Sequence, residues 1–154
     1  MDKKTFLTVE VPKLLAQLKA ESPANFGLMT AQHMVEHLTY SAKSTNKRYG
    51  EPEGEPTERQ LGFKRFIDNG AVFKHRPSDK TAADLPDYKY GSLEEALEHI
   101  PEAINRFYNH FEANPGFKAF SPFMGELNFE ELEQFHYSHF RYHLWQFGLL
   151  ESYP

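Results

Sequence analysis

The stretch Asn128-Phe129-Glu130-Glu131-Leu132-Glu133-Gln134-Phe135-His136-Tyr137-Ser138-His139-Phe140-Arg141-Tyr142-His143-Leu144-Trp145-Gln146-Phe147-Gly148 reads as a long helix with histidines on its buried stripe. Asn128 and Glu131 form a capping-box-like pair that opens a helix running to about Phe147, and Gly148 suits its end. At about 100° per residue, His136, His139 and His143 fall within about 60° of one another. Leu132 and Phe135 lie close to that stripe, whereas Glu130, Glu133 and Arg141 belong on other faces. An amphipathic helix of this kind buries its stripe against other elements, so the histidines look inward. His139 and His143 are about one turn apart, as a shared metal ion requires.

Working outward, a second helix begins after Thr30, a suitable N-cap, and passes through Met34, His37, Leu38 and Ser41 towards Arg48. His33 and His37 repeat the four-residue spacing and lie about 40° apart on it. A first helix is expected from Val9 to Ala20, with Leu14, Leu15 and Leu18 on one side and Ser22-Pro23 as its stop. Gly50 to Pro56, rich in Gly, Pro and Glu, reads as an exposed acidic loop, and Glu58 to Phe66 or Asp68 as a shorter helix. His75 to Tyr90 is irregular. Ser92 and Glu95 open a third long helix towards Glu112, with a kink or break near Glu98 because Pro101 falls inside it. No segment carries a period-two strand pattern and no repeat is visible. The expected architecture is all-α: one domain over residues 1–154, an up-and-down four-helix bundle with a long insertion between its second and third main helices.

The composition narrows the chemistry. A chain of 154 residues builds one domain with a sizeable core, here from 14 Phe, 8 Tyr and one Trp. It has no cysteine, so disulfides, thiolate metal sites and a cysteine nucleophile are excluded. Against 22 acidic residues stand 17 basic ones, a formal charge of −5, which argues against nucleic-acid or anionic-membrane partners. Apolar runs end well before about 18 residues, and Glu10 and Lys13 interrupt any signal-peptide core, so a cytoplasmic location is expected.

If the two histidine-bearing helices pack side by side, three or four imidazoles converge. Three neutral imidazoles leave coordination positions free on a divalent ion and its charge uncompensated, which makes an open site able to acidify a bound water or thiol. Imidazoles suit zinc, nickel, iron or copper. Each ligand needs a partner on its other ring nitrogen, and Tyr40 and Gln146 lie on suitable faces. The glutamate of H-E-x-x-H is missing, so this is not the zincin arrangement. The competing reading is a set of core histidines satisfied by backbone, Tyr or Glu groups.

Three segments carry a resemblance to a known family. Thr30 to Leu38 looks like the second-helix motif of the DinB-like, YfiT-like superfamily of metalloenzyme-type proteins, and His139 to Gln146 resembles its fourth-helix H-x-x-x-H motif with a following Gln. Pro122 to Leu127, together with His143 to Gly148, is similar to the DUF1569 branch. The resemblance implies a four-helix bundle, with His37, His139 and His143 as metal ligands and His33, Tyr40, His136 and Gln146 as neighbours in the pocket. It implies a divalent metal, zinc or nickel foremost, that activates water or a low-molecular-weight thiol for transfer to, or hydrolysis of, a small electrophilic substrate. Relatives include thiol-dependent transferases using bacillithiol, mycothiol or glutathione, and an isomerase of the maleylpyruvate type. Where many relatives have Arg-Gly after the last ligand, this chain has Leu144-Trp145. Relatives are often homodimers; Tyr108, Phe111, Phe117 and Phe120 are candidates for a dimer surface or for a cap on the bundle. Glu36 is a further candidate helper. The loops Gly50–Pro56 and His75–Tyr90 either cover the site or are surface connections. The alternative function is a non-catalytic small-ligand-binding or stress-response bundle; a heme protein is a weaker third reading.

Overall fold

The computed structural model describes residues 1–154 and is mostly helical, with one small two-stranded sheet. Helix α1 covers residues 3–15, α2 Ala31–Lys43, α3 Glu58–Asp68, α4 Leu93–Ala113 and α5 Phe129–Gln146, with a 3-10 turn at Ala82–Asp84. Thr30 caps α2 by accepting from the His33 N–H, and Asn128 and Glu131 form a reciprocal capping box on α5, as their spacing predicts. The α3 helix opens on a Thr57–Gln60 capping box.

Several boundaries differ from the sequence reading. The first helix starts at Lys3, capped by Asp2, and ends at Leu15 rather than running from Val9 to Ala20. Its middle, Phe6–Glu10, widens to a π-helix directly before Pro12, which has no N–H to give to the Thr8 carbonyl. The second helix stops at Lys43, short of Arg48. The third long helix continues unbroken through Pro101. A proline inside a helix costs about 3 kcal/mol, but α4 buries Leu93, Ile100, Ile104, Phe107 and Phe111 along one face, each large side chain contributing about 1.5–3 kcal/mol. Packing wins.

The strands are a correction to the all-helical expectation. β1 (Ala119–Ser121) and β2 (Gly125–Leu127) pair antiparallel with Phe120 opposite Glu126. Three residues per strand are too few for alternation to register. The pairing is completed by the chain after α2: the Tyr49 N–H donates to Phe120 O at 2.8 Å and Phe120 N–H to Lys47 O at 3.2 Å. Gly125 turns the hairpin at φ +80°, where a Cβ would stand 3.1 Å from Gln60 Cβ.

Side-chain contacts fix the helix directions. Gln32 Nε2 donates to Tyr90 O, just ahead of α4, at 2.8 Å. Beyond the other end of α2, Thr45 meets His136, whose ring lies 4.9 Å from that of Phe107 late in α4. Helices α2 and α4 therefore run in the same direction, and they form the most extensive helix pair. Helix α5 runs against both, with His136 beside Thr45 and His139 beside His37. Residues 44–92 return along the outside of α5, through Lys64–Glu131 at 3.2 Å, Gln134 Nε2 to Gly70 O at 2.9 Å and Ser138 to Ala71 O. That return path carries Phe73 to His139, their ring centroids 5.0 Å apart.

The core joins α1, α2, α4 and α5 through Leu7, Val11, Met34, Leu38, Ile100, Phe107, Phe140 and Leu144, among others. Tyr108, Phe111 and Phe120 are buried and Phe117 packs against that core, so these aromatics cap the helices rather than face solvent. No helix is long and apolar enough to cross a membrane.

Candidate metal centre

His37 on α2 and His139 and His143 on α5 bring one ring nitrogen each to within 4.8 Å of one another. His139 Nε2 stands 3.0 Å from His37 Nε2 and 3.2 Å from His143 Nε2. Ligand bonds of about 2.0–2.1 Å put neighbouring nitrogens roughly 2.8–3.4 Å apart between octahedral and tetrahedral angles, so the two spacings at His139 suit a shared ion. His139 and His143 are buried, whereas His37 is exposed along one edge and opens the cluster to solvent.

Supporting contacts decide which nitrogens are available. His143 Nδ1 lies 2.7 Å from Gln146 Oε1, and Gln146 Nε2 donates to Phe26 O at 2.9 Å. His139 Nδ1 lies 3.4 Å from Ser41 Oγ, a longer contact. With the remote nitrogens protonated, the Nε2 lone pairs of both rings turn towards His37. Two bare lone pairs at this range repel, and a cation between them removes the repulsion. The donor set therefore fits a divalent metal.

The rings are also held neutral. Burial pushes His143 down to about 4, against the opposing effect of the Gln146 hydrogen bond. His139 lies well below its ordinary value through burial and the neighbouring imidazoles, and partial desolvation lowers His37. Neutral imidazole is the ligating form.

Two half-buried aromatic rings flank His139: Phe73 at 5.0 Å and Phe135 at 5.3 Å. Phe73 is held by a relay in which its N–H donates to the Tyr153 hydroxyl, Tyr153 to Ser138 Oγ, and Ser138 to Ala71 O. Ala71 sits at φ +55°, a left-handed conformation at which a non-glycine residue carries strain.

The other expected pocket residues fare differently. Gln146 supports a ligand directly. Tyr40 does not: it is 73 % exposed and makes no hydrogen bond. His33 turns away from the cluster, its Nδ1 2.8 Å from Thr30 Oγ1 and its Nε2 2.9 Å from Pro86 O, with Tyr88 against its ring. His136 is buried one turn below His139, its Nε2 2.7 Å from Thr45 Oγ1 and its Nδ1 without a partner; burial pushes it down to about 3. Glu36 is occupied elsewhere. Burial raises its carboxyl, but the Lys89 N–H, the Gln32 amide and the Tyr90 N–H together hold it below the usual range.

Sequence reasoning missed Ser41 as a partner of His139, the Phe26 carbonyl behind Gln146, and the Phe73–Tyr153–Ser138 relay. Ser41 alone left a signal, bordering the histidine stripe one turn beyond His37. The loop Gly50–Pro56 does not reach the histidines; it lines clefts with Gln60, Phe120 and Pro122 beside the hairpin. Residues 86–90 do approach the site's flank, pinned to α2 by His33 and Glu36.

No protein-family model, curated protein or solved structure matches this chain.

Proposed function

We propose that the chain is a metal-dependent enzyme of DinB-like type, in which His37, His139 and His143 hold one divalent cation, zinc or nickel foremost. The observation that carries this reading is the convergence of three neutral imidazoles through Nε2 at 3.0 and 3.2 Å, two buried and one open to solvent. When bound, the cation supplies positive charge that acidifies a coordinated water or low-molecular-weight thiol for attack on a small electrophile. The chain's own groups do the rest. His139 and His143 offer fixed lone pairs, Gln146 and Ser41 hold the remote ring protons, and Phe73 and Phe135 pack against His139 and shield it. With Glu36 committed to the backbone of Lys89 and Tyr90, no carboxylate ligand neutralises the cation, which favours an anionic co-ligand such as a thiolate.

In this reading α1, α2, α4 and α5 make up the four-helix bundle. The parallel run of α2 and α4 replaces simple up-and-down order with one long crossover, residues 44–92, which also delivers Phe73. The test is turnover of 4-nitrophenyl acetate, with and without cysteamine, by zinc- and nickel-loaded protein. A rate that requires the metal and disappears in His143→Ala supports the reading. Near-stoichiometric metal with no acceleration of either hydrolysis or thiol transfer counts against enzymatic activity.

One observation favours the alternative of a non-catalytic ligand binder. Two clefts beside the hairpin, lined by residues such as Gln60, Lys64, Lys118 and Glu126, include none of the histidines. Retention of a small ligand by metal-free His143→Ala protein would support that alternative.

A further inference from the structure

The loop before α2 reaches the cluster without contributing a ligand. Phe26 O accepts from Gln146 Nε2 at 2.9 Å across 120 residues of sequence, and the Asn25 N–H donates to Gln146 O at 2.8 Å. A backbone carbonyl only accepts, so the Gln146 atom facing it is the NH2 group. The carboxamide oxygen therefore faces His143 Nδ1, at 2.7 Å. That oxygen in turn only accepts, so His143 carries its proton on Nδ1. Its Nε2 is then a bare lone pair turned towards His139 and His37. Gly27 keeps this arrangement possible: at φ +84°, a Cβ there would stand 2.8 Å from Gln146 Nε2.

We infer that Phe26 and Gly27 act through Gln146 as a tautomer clamp, positioning residues that fix His143 as the Nδ1–H form and so aim its Nε2 into the cluster. Without the carbonyl, the Gln146 amide is free to turn and present NH2 to Nδ1. His143 would then favour the opposite tautomer, whose Nε2–H cannot ligate. The support is unequal across the three rings: His143 has a short buried contact, His139 a longer one, and His37 no partner on Nδ1. His143 is thus the ligand whose aim is built in before any ion arrives. The affinity consequence rests on the metal reading proposed above, whereas the tautomer itself does not.

The experiment uses the full chain in two states. In metal-free protein, nitrogen-15 NMR of His143, assigned with His143→Ala, reads the tautomer in wild type, Gln146→Leu, Gln146→Glu and Gly27→Ala. Zinc titration calorimetry on the same four proteins reads affinity. Wild type is expected as Nδ1–H. Gln146→Glu, which still accepts, should keep that form, while Gln146→Leu and Gly27→Ala should shift towards Nε2–H and lose about tenfold to a hundredfold in zinc affinity. Folding of each variant is checked by circular dichroism, and Gln146→Leu carries the test if Gly27→Ala fails to fold. A wild-type Nε2–H tautomer, or distributions unchanged in both disrupting variants, overturns the clamp. Tautomer shifts in protein that takes up no zinc would uphold the clamp and sink the metal reading. Zinc bound equally by all four proteins would uphold the metal site and remove the clamp's role in it.

Discussion

Acid should begin to destabilise the metal-free protein as pH falls through about 6.5, before the carboxylates titrate. His136 is held at about 3, His143 at about 4 and His139 well below its ordinary value, burial being the main cause in each. In the unfolded chain these rings return to about 6.5. The folded values are depressed, so between pH 6.5 and the folded values the unfolded state binds more protons. Stability is therefore fully present above pH 6.5 and is lost as pH falls. At pH 5 His136 and His143 have each cost about 2 kcal/mol, about 4 kcal/mol together, and His139 acts in the same direction, against a total stability of about 5–15 kcal/mol for a domain. Urea unfolding in EDTA at pH 7.5, 6.5, 5.5 and 5.0 reads this directly, because the slope against pH counts the protons taken up. The expected slope near pH 5 is about two protons or more, and His136→Phe, which removes one titrating ring together with its contact to Thr45, should reduce it by about one. Stability that stays level from pH 7.5 to 5, or a slope below one proton, would refute neutral burial of these rings.

Two further outcomes follow from the contacts. Ser138→Ala removes the donor to Ala71 O and the acceptor for Tyr153, so a loss of about 1–3 kcal/mol is expected in urea unfolding, with faster hydrogen exchange at the Phe73 amide. Tyr40→Phe should leave both stability and zinc affinity unchanged in the same denaturation and calorimetry, since the hydroxyl bonds to nothing and the ring is exposed.

Much of the scaffold was legible because its signals are local. The Asn128–Glu131 capping box, the Thr30 cap and the four-residue histidine spacings lie within a turn or two of what they determine. Other features depend on chain segments that meet only after folding. The carbonyl behind Gln146 comes from Phe26, and the wall over His139 comes from Phe73 on the return path beside α5. Neither leaves a periodic trace. Tyr40 illustrates the limit of spacing arguments: three residues from His37 is a suitable offset on a helix, yet the side chain points into solvent. Glu36 is the reverse case, a charged residue that reads as catalytic or solvated and instead accepts hydrogen bonds from two backbone N–H groups. The helix through Pro101 and the hairpin escaped for a shared reason: long-range burial outweighed the local preference in one, and supplied the pairing partners of a very short element in the other.

X-ray absorption at the zinc edge of tag-free, zinc-loaded protein reads the ligands of the three-histidine centre. One zinc per chain is expected, surrounded by three imidazole nitrogens at about 2.0 Å with at least one further oxygen or nitrogen neighbour, and that signature should be lost in His143→Ala. Protein that emerges from dialysis without zinc, or zinc with fewer than three imidazoles around it, would contradict the three-histidine centre.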